Sequence, residues 1–440
     1  ERDAVGAGAA AAGRPPRRVG SPAVVPPADS CDPGGMDSRG YIALEERFGT
    51  RNYHPLDVVV ARGEGVWVHD VEGRRYLDCL AAYSAVNQGH CHPRLVRALR
   101  EQAGRCTLTS RAFYNDRLGP FLERLATLLG YERVLPMNTG AEAVETAIKA
   151  ERRWAYDEKG VAADRAEILV FDGNFHGRTT TIVGFSSAAA YRRGFGPFTP
   201  GFRRLPFGDV EAVEQAMHPD VAAILVEPIQ GEAGIVLPPK GYLTALRRIA
   251  DAHGCLLVCD EIQSGLGRTG ALLCASHEGV RPDLVVLGKA LSGGLYPVSA
   301  VVGDDRVLKV FDPGSHGSTY GGNPLGAAVA AEALAVLVDE RLCENSATLG
   351  AHALERLRRL ESQHVREVRG LGLWIGVELH ARTGGARPFC EALRDRGLLC
   401  KETHDLVIRF APPLVITREE LDWALERLEA VLRAPAPAAR

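Results

Sequence analysis

An α/β fold is what this 440-residue sequence predicts: a mostly parallel central sheet, with a smaller α+β unit in the C-terminal third. Three observations carry that reading. From about residue 134, short β-like runs alternate with longer helical stretches, as strands joined by helical crossovers do. Some of those runs are unbroken aliphatics, such as LVVL at 284–287, which suits strands buried on both faces. Towards the C-terminus, long amphipathic stretches (PLGAAVAAEALAVLVDERL and TREELDWALERLEAVLRA) flank two short β-like pieces, WIGVEL and LVIRFAPPL.

Taken in order, residues 1–35 are rich in Ala, Gly and Pro and hold too little apolar surface to offset their ordering entropy, so disorder is expected. Arg14, Arg17 and Arg18 would suit a transit peptide and a mitochondrial matrix address, but Glu1, Asp3, Asp29 and Asp32 oppose it. Globular sequence begins at Met36, the first methionine. Residues 1–35 are therefore expected to be dispensable, and the location cytoplasmic. The strands expected next are Val134–Met137, Glu167–Phe171, Ala222–Val226, Leu256–Cys259, Leu284–Leu287 and Val298–Val302. Between them, Thr139 and Glu142 form a capping box that opens a helix over Ala141–Ala155, with Val144, Ala147 and Ile148 at helical spacing. A second helix, Tyr242–Ala252, meets its stop at His253-Gly254. The tail, 435–440, is expected to fray.

Bulk properties exclude some functions. The net charge of −3 gives no footprint for nucleic acid or an anionic membrane. No apolar stretch approaches the ~18 residues of a membrane span. The ten cysteines form no CxxC pairs and read as free thiols in a reducing compartment.

Ligands of open parallel sheets gather at the carboxyl ends of strands, and three charged residues fall there: Glu227, Asp260 and Lys289. Lys289 follows LVVLG, yet this is no phosphate-binding P-loop. That pattern needs a glycine where Asp283 stands and a hydroxyl residue where Ala290 stands. A lysine at the edge of a core is seldom buried without a partner. Asp260, closing CLLVCD, is a carboxylate in the same position and calls for a cationic partner. In MNTGAEA, Gly140 lets a ligand approach the free amides of a helix start, a ready anion site. FDGNFHGRTT offers Phe175 as an aromatic plate and Arg178 as a fork for a carboxylate. PGSHGSTYGGNP supplies hydroxyls and amides suited to a phosphate. An amine nucleophile, a carboxylate for a pyridinium nitrogen, an aromatic plate and a phosphate cradle are the parts a pyridoxal-phosphate enzyme requires. A desolvated Lys289 would have a lowered pKa and could condense with an aldehyde.

From about Asn52 to Leu432 the chain resembles the fold-type I, class III aminotransferases, and among them the branch acting on ornithine. The stretches carrying the resemblance are NYHPLDVVV, YSAVNQGHCHP, LTSRAFYND, VLPMNTGAEA, VEPIQGEAG, DEIQSGLGRTG, LGKALSGGLYPVSA, HGSTYGGNPLG and IRFAPPLVI. The resemblance implies a large cofactor-binding domain over 76–324, with a small domain formed by 36–75 and 325–434. It implies pyridoxal 5'-phosphate (PLP) bonded to Lys289, which also shuttles the proton. Asp260 would face the pyridine nitrogen, Gln263 the phenolic oxygen, Phe175 the ring, and Gly140 and Ala141 the phosphate. Ser318 and Thr319 would complete the cradle from the neighbouring subunit of a homodimer with shared sites. His176 stands where animal relatives carry tryptophan. For the substrate, Arg178 would clamp the α-carboxylate of L-ornithine, Tyr53 would hold its α-amine and Tyr83 would line the pocket. Glu232 would pair with Arg409 in that half-reaction and release it to a carboxylate of 2-oxoglutarate or glutamate in the other. The same two residues could also form a permanent ion pair.

Rival readings remain. GLGRTG at 265–270 fits a dinucleotide-binding GxGxxG, but ALLCASHEG after it promises no helix. HCH at 90–92 could hint at a metal, yet Pro93 and RLVRALREQ read as a turn before a helix. A non-catalytic relative is disfavoured by the intact lysine, aspartate and arginines. Within the aminotransferases, N-acetylornithine or 4-aminobutyrate is the competing substrate, and Tyr53 and Tyr83 are the discriminators.

Overall fold

The structure, a computed structural model, describes residues 35–437. The expectations for the N-terminal extension and the end of the tail lie outside the described residues, apart from Gly35 and 435–437.

Seven strands form the central sheet, in the order Arg133–Met137, Ser299–Gly303, Leu284–Leu287, Leu256–Asp260, Val221–Val226, Glu167–Phe171, Phe202–Leu205. Only Ser299–Gly303 runs against its neighbours; the pairs from Leu284–Leu287 to Phe202–Leu205 are parallel. The six expected strands are present with ends shifted by at most one residue. The seventh, FRRL at 202–205, lies at the sheet edge with Arg203 and Arg204 exposed. Its paired arginines interrupt the apolar pattern, so this edge strand has no aliphatic run to betray it.

Alternation places successive strand residues on opposite faces. Leu256, Val258, Leu284 and Val286 pack with Val144, Ala147 and Ile148 of the helix Gly140–Asp157. Leu257 and Cys259 pack with Tyr242, Leu246 and Ile249 of the helix Tyr242–His253. That second helix ends, as expected, at a left-handed Gly254. Register then fixes the site: Cys259 pairs with Val226 and Asp260 with Val286. Glu227, Asp260 and Lys289 therefore emerge side by side at one end of the sheet.

Two four-stranded sheets complete the fold. In one, Val60–Glu64, Trp67–Asp70 and Arg75–Asp78 are antiparallel, and Leu398–Leu399 joins Arg75–Asp78 in parallel. In the other, Val365–Gly370, Ile375–Leu379, Val407–Phe410 and Lys401–Thr403 lie in that order. The segment GLGRTG is structural. Buried Arg268 donates from Nη1 to the carbonyls of Leu373 (2.9 Å) and Pro412 (2.7 Å), and from Nη2 to Asn87 Oδ1 (2.5 Å). Beyond it the chain forms a 3₁₀ turn, Cys274–Glu278, not an α-helix. HCH opens the helix Pro93–Ala103. His90 Nε2 lies 2.8 Å from Asp78 Oδ2 and His92 Nε2 lies 3.0 Å from Glu340 Oε1, and no metal-binding cluster occurs among the described residues. The nine described cysteines are free thiols. No described helix is long and apolar enough to cross a membrane.

Candidate active site

Two adjoining cavities open where the parallel strands end. The inner, of about 230 Å³, is lined by Gly140, Ala141, Phe175, Asp260, Gln263 and Lys289, together with His176 and Glu227. The outer, of about 780 Å³, shares Phe175, Gln263 and Lys289 with it and adds Tyr53, Tyr83, Arg178 and Glu232.

The strand Leu284–Leu287 ends at Gly288, and Lys289 adopts a left-handed backbone (φ 43°) at the start of a 3₁₀ turn. Non-glycine residues rarely hold that conformation, and where they do the surroundings enforce it. Lys289 is half-buried and lines both cavities. Burial pushes its amine below the ordinary lysine value, against the opposing charges of Asp260 and Glu232.

Asp260 has a buried partner, and it is His176. Nδ1 of the ring lies 2.7 Å from Asp260 Oδ2, both side chains being buried. The amide of Ile262 donates to Asp260 Oδ1 at 3.0 Å. Burial alone would lower the imidazole's pKa, but the hydrogen bond and charge of Asp260 outweigh it and raise it. Glu227, beside Asp260 in the sheet, accepts from the Phe175 amide at 2.9 Å. Burial pushes its carboxyl up to about 8.

Opposite these groups lies the start of the helix Gly140–Asp157. The capping box forms as expected: Glu142 Oε2 accepts from the Thr139 amide (2.7 Å) and Thr139 Oγ1 accepts from the Glu142 amide (3.3 Å). The first amides of a helix have no intrahelical acceptor, and Gly140 and Ala141 line the inner cavity. A Cβ at Gly140 would meet Ile262 Cδ1 at 2.9 Å, so glycine is what permits this close packing. Amides and a helix N-terminus for a phosphate, a carboxylate facing into the cavity, an aromatic plate and a desolvated amine make a donor set that fits PLP.

Two arginines of different character serve the outer cavity, Arg178 in its lining and Arg409 behind Glu232. Arg178 stacks on Tyr191, with Cζ 4.1 Å from the ring centroid, and lies 5.5 Å from that of Phe175. Arg409 is buried. Its Nη2 donates to Glu232 Oε1 (2.8 Å) and to the Gly231 carbonyl (2.9 Å), its Nη1 to Gln263 Oε1 (3.3 Å), and its Cζ sits 5.0 Å from the Tyr83 ring. Gln263 Nε2 also donates to Glu232 Oε1 at 3.2 Å. Burial pushes the Glu232 carboxyl up, but Arg409, with help from Lys289 and Gln263, leaves it below the ordinary carboxylate value. Tyr83 stands on a left-handed turn of four non-glycine residues, Ala81–Ser84, a stretch costing roughly 1–2 kcal/mol per residue.

Comparison with known proteins agrees with this geometry. The family profile Aminotransferase class-III matches residues 48–432. The chain belongs to the class III aminotransferases. Among curated relatives, the ornithine aminotransferase of Brevibacillus brevis is 58% identical over 391 residues, 89% of this chain and 97% of that protein. Ornithine aminotransferase 2 of Staphylococcus aureus is 56% identical over 396 residues, 90% and 99% of the two chains. A solved structure of the Toxoplasma gondii ornithine aminotransferase, described with PLP at partial occupancy in its active site, superposes with a TM-score of 0.89. It is 45% identical and covers 90% of this chain and 94% of that one. The acetylornithine aminotransferase of Elizabethkingia anophelis is also 45% identical, with a TM-score of 0.83, over 90% and 99% of the two chains.

In this aminotransferase, eleven of the thirteen residues singled out by sequence surround or reach the two cavities: Gly140, Ala141, Phe175, Asp260, Gln263, Lys289, Tyr53, Tyr83, Arg178 and Glu232 line them, and Arg409 reaches them through Glu232. Ser318 and Thr319 do not line their own chain's cavities. Ser318 Oγ accepts from Asn138 Nδ2 at 2.9 Å, and Thr319 is exposed. Sequence reasoning passed over His176 as Asp260's partner and missed Tyr191 beneath Arg178. The first had a signal, a titratable residue within the aromatic loop; the second, in the short helix Ala189–Arg192, had none.

Proposed function

We propose that this aminotransferase moves the δ-amino group of L-ornithine to 2-oxoglutarate, giving glutamate and glutamate 5-semialdehyde, which cyclises to pyrroline-5-carboxylate. PLP is its cofactor and, when bound, supplies an aldehyde for the amine and a ring that delocalises the electrons of a deprotonated carbon. Lys289 Nζ, with its lowered pKa, takes the proton from the reacting substrate carbon and returns it. Asp260, steadied by His176, holds a proton at the position of the ring nitrogen. Gln263 addresses the phenolic oxygen, Phe175 the ring face, and the amides of Gly140 and Ala141 the phosphate.

Substrate selection follows from two arginines with different neighbours. Arg178, stacked on an aromatic ring and without a carboxylate partner among the described ion pairs, receives the α-carboxylate of ornithine. Tyr53 holds the α-amine away from Lys289, and Tyr83 lines the path between. Arg409 is neutralised by Glu232 while ornithine is bound, because a buried guanidinium without a counter-charge is costly. When 2-oxoglutarate or glutamate enters, its second carboxylate displaces Glu232. The observation that carries this reading is the Glu232–Arg409 pair, 2.8 Å long, in the wall of a pocket shared with Lys289.

Ser318 and Thr319, which do not line their own chain's cavities, serve the phosphate of a partner subunit in a homodimer with shared sites. The chain divides into a large domain at 76–324 and a small domain from 36–75 and 325–434. Its place is the cytoplasm, in arginine breakdown and proline synthesis. Product analysis with L-ornithine and 2-oxoglutarate tests the central claim. The cyclised semialdehyde, detected with o-aminobenzaldehyde, is expected; faster turnover of N-acetylornithine or 4-aminobutyrate would reject it.

A further inference from the structure

The segment 52–56 carries Tyr53 across the outer cavity but belongs to no helix or strand. Tyr53 itself is 76% exposed, so little packing holds it. Among the described residues, the hydrogen bonds tying this segment to sequence-distant elements all come from one side chain, Arg387. Its Nη1 donates to the His54 carbonyl at 2.9 Å and its Nη2 to the Pro55 carbonyl. The guanidinium is fixed in turn. Nε donates to Glu391 Oε1 at 2.9 Å, one turn along the helix Arg387–Arg394, and Nη1 to Glu402 Oε1 at 3.2 Å. Both ion pairs are shielded, with side chains no more than 21% exposed. Five planar donors suit such a four-way junction, which an ammonium cannot reproduce.

Glu402 extends the junction into the rest of the site. It lies in the strand Lys401–Thr403, and both Lys401 and Glu402 line the outer cavity. The next residue, Thr403, donates from Oγ1 to the Glu232 carbonyl at 3.0 Å. Lys401 is the register partner of Arg409. One short strand therefore grips the Tyr53 segment through Arg387 on one side and the Glu232–Arg409 pair on the other.

We propose that Arg387 is a positioning residue for substrate selection: it docks the 52–56 segment on the pocket wall so that Tyr53 meets the α-amino group of the donor. The inference rests on the role given above to Tyr53. The guanidinium lines neither cavity; it acts through the carbonyls of the two residues after Tyr53.

The test compares L-ornithine with 5-aminopentanoate, which has the same chain and carboxylate but no α-amine, in the holoenzyme of wild type, Arg387→Met, Arg387→Lys and Tyr53→Phe. Loss of charge-assisted hydrogen bonds to the segment is expected to raise KM for ornithine about tenfold in Arg387→Met, with a much smaller change in kcat or in KM for 5-aminopentanoate. Arg387→Lys restores part of the loss. Tyr53→Phe shows the same selectivity, and Arg387→Met adds little on top of it. Hydrogen exchange supplies a readout independent of activity: exchange in the 52–56 region accelerates in Arg387→Met while the central sheet keeps its protection. Equal losses on both donors, additive losses in the double variant, or unchanged exchange would overturn the clamp while a selective Tyr53→Phe left Tyr53's role standing. An unselective Tyr53→Phe would overturn both.

Discussion

Replacing Glu232 by alanine tests the two-arginine logic most directly. In the structure, Arg409 is 1% exposed and Glu232 24% exposed by side chain. Removing one partner of a fully buried ion pair costs about 3–5 kcal/mol. Arg409 would keep the Gly231 carbonyl, Gln263 Oε1 and the Tyr83 ring, and Glu232 already faces the pocket, so the cost falls to roughly 2 kcal/mol, or about thirtyfold in an equilibrium. The bare guanidinium then becomes a competing receptor for the α-carboxylate of ornithine. A donor drawn towards Arg409 instead of Arg178 presents the wrong carbon to Lys289. The same guanidinium is what a dicarboxylate needs, and it no longer has to displace a carboxylate to reach it.

The ornithine half-reaction of Glu232→Ala is therefore expected to slow by about thirtyfold relative to the 2-oxoglutarate half-reaction. Stopped-flow absorbance of each half in single turnover, with the cofactor loaded, measures both. A larger loss in the 2-oxoglutarate half would refute the switch. Equal losses would mean that the pair is a permanent structural bond.

Three further outcomes are expected. Tyr83→Ile removes the ring over Arg409 and should weaken ornithine turnover several-fold more than that of amines without an α-amino acid head, about 1 kcal/mol of cation–π and packing loss; steady-state comparison of the two donors checks it, and parity counts against the assignment. His176→Leu leaves Asp260 with the Ile262 amide alone among its described partners and should weaken PLP retention by roughly ten- to a hundredfold, seen as loss of cofactor absorbance on dilution; undiminished retention would remove His176 from the site. Glu151, wholly buried with neither carboxylate oxygen hydrogen-bonded among the described residues, has its pKa pushed by burial up to about 8. Its folded value lies above the unfolded one, so its contribution is full at about pH 4 and is lost as pH rises towards 8. Urea titrations should show Glu151→Gln gaining on the wild type between about pH 5 and 8, by up to a few kcal/mol, at about 1.4 kcal/mol per pH unit; a gap independent of pH would contradict this.

The parts of the site that could be read from sequence share a physical property: each sits where the chain changes character. Lys289 and Asp260 end aliphatic strands, Gly140 opens a capped helix and Phe175 lies in a glycine-rich loop. A buried parallel strand must be apolar throughout, so a charged residue at its end stands out against its own neighbours. The roles of Tyr53, Tyr83, Glu232 and Arg409 had no such local contrast and came from resemblance. The features that stayed hidden are those that register and long-range contact create. Nothing within FDGNFHGRTT shows that His176 meets Asp260, 84 positions later, because that contact needs Glu167–Phe171 and Leu256–Asp260 held in one sheet with Val221–Val226 between them. The edge strand Phe202–Leu205 escaped because exposed strands need not be apolar. Arg387 escaped for a further reason. Its clamp grips backbone carbonyls, which every residue possesses, at a distance of over 330 positions in sequence. Side chains that recognise backbone leave no mark on the sequence they hold, so positioning residues of this kind are visible only once the chain is folded.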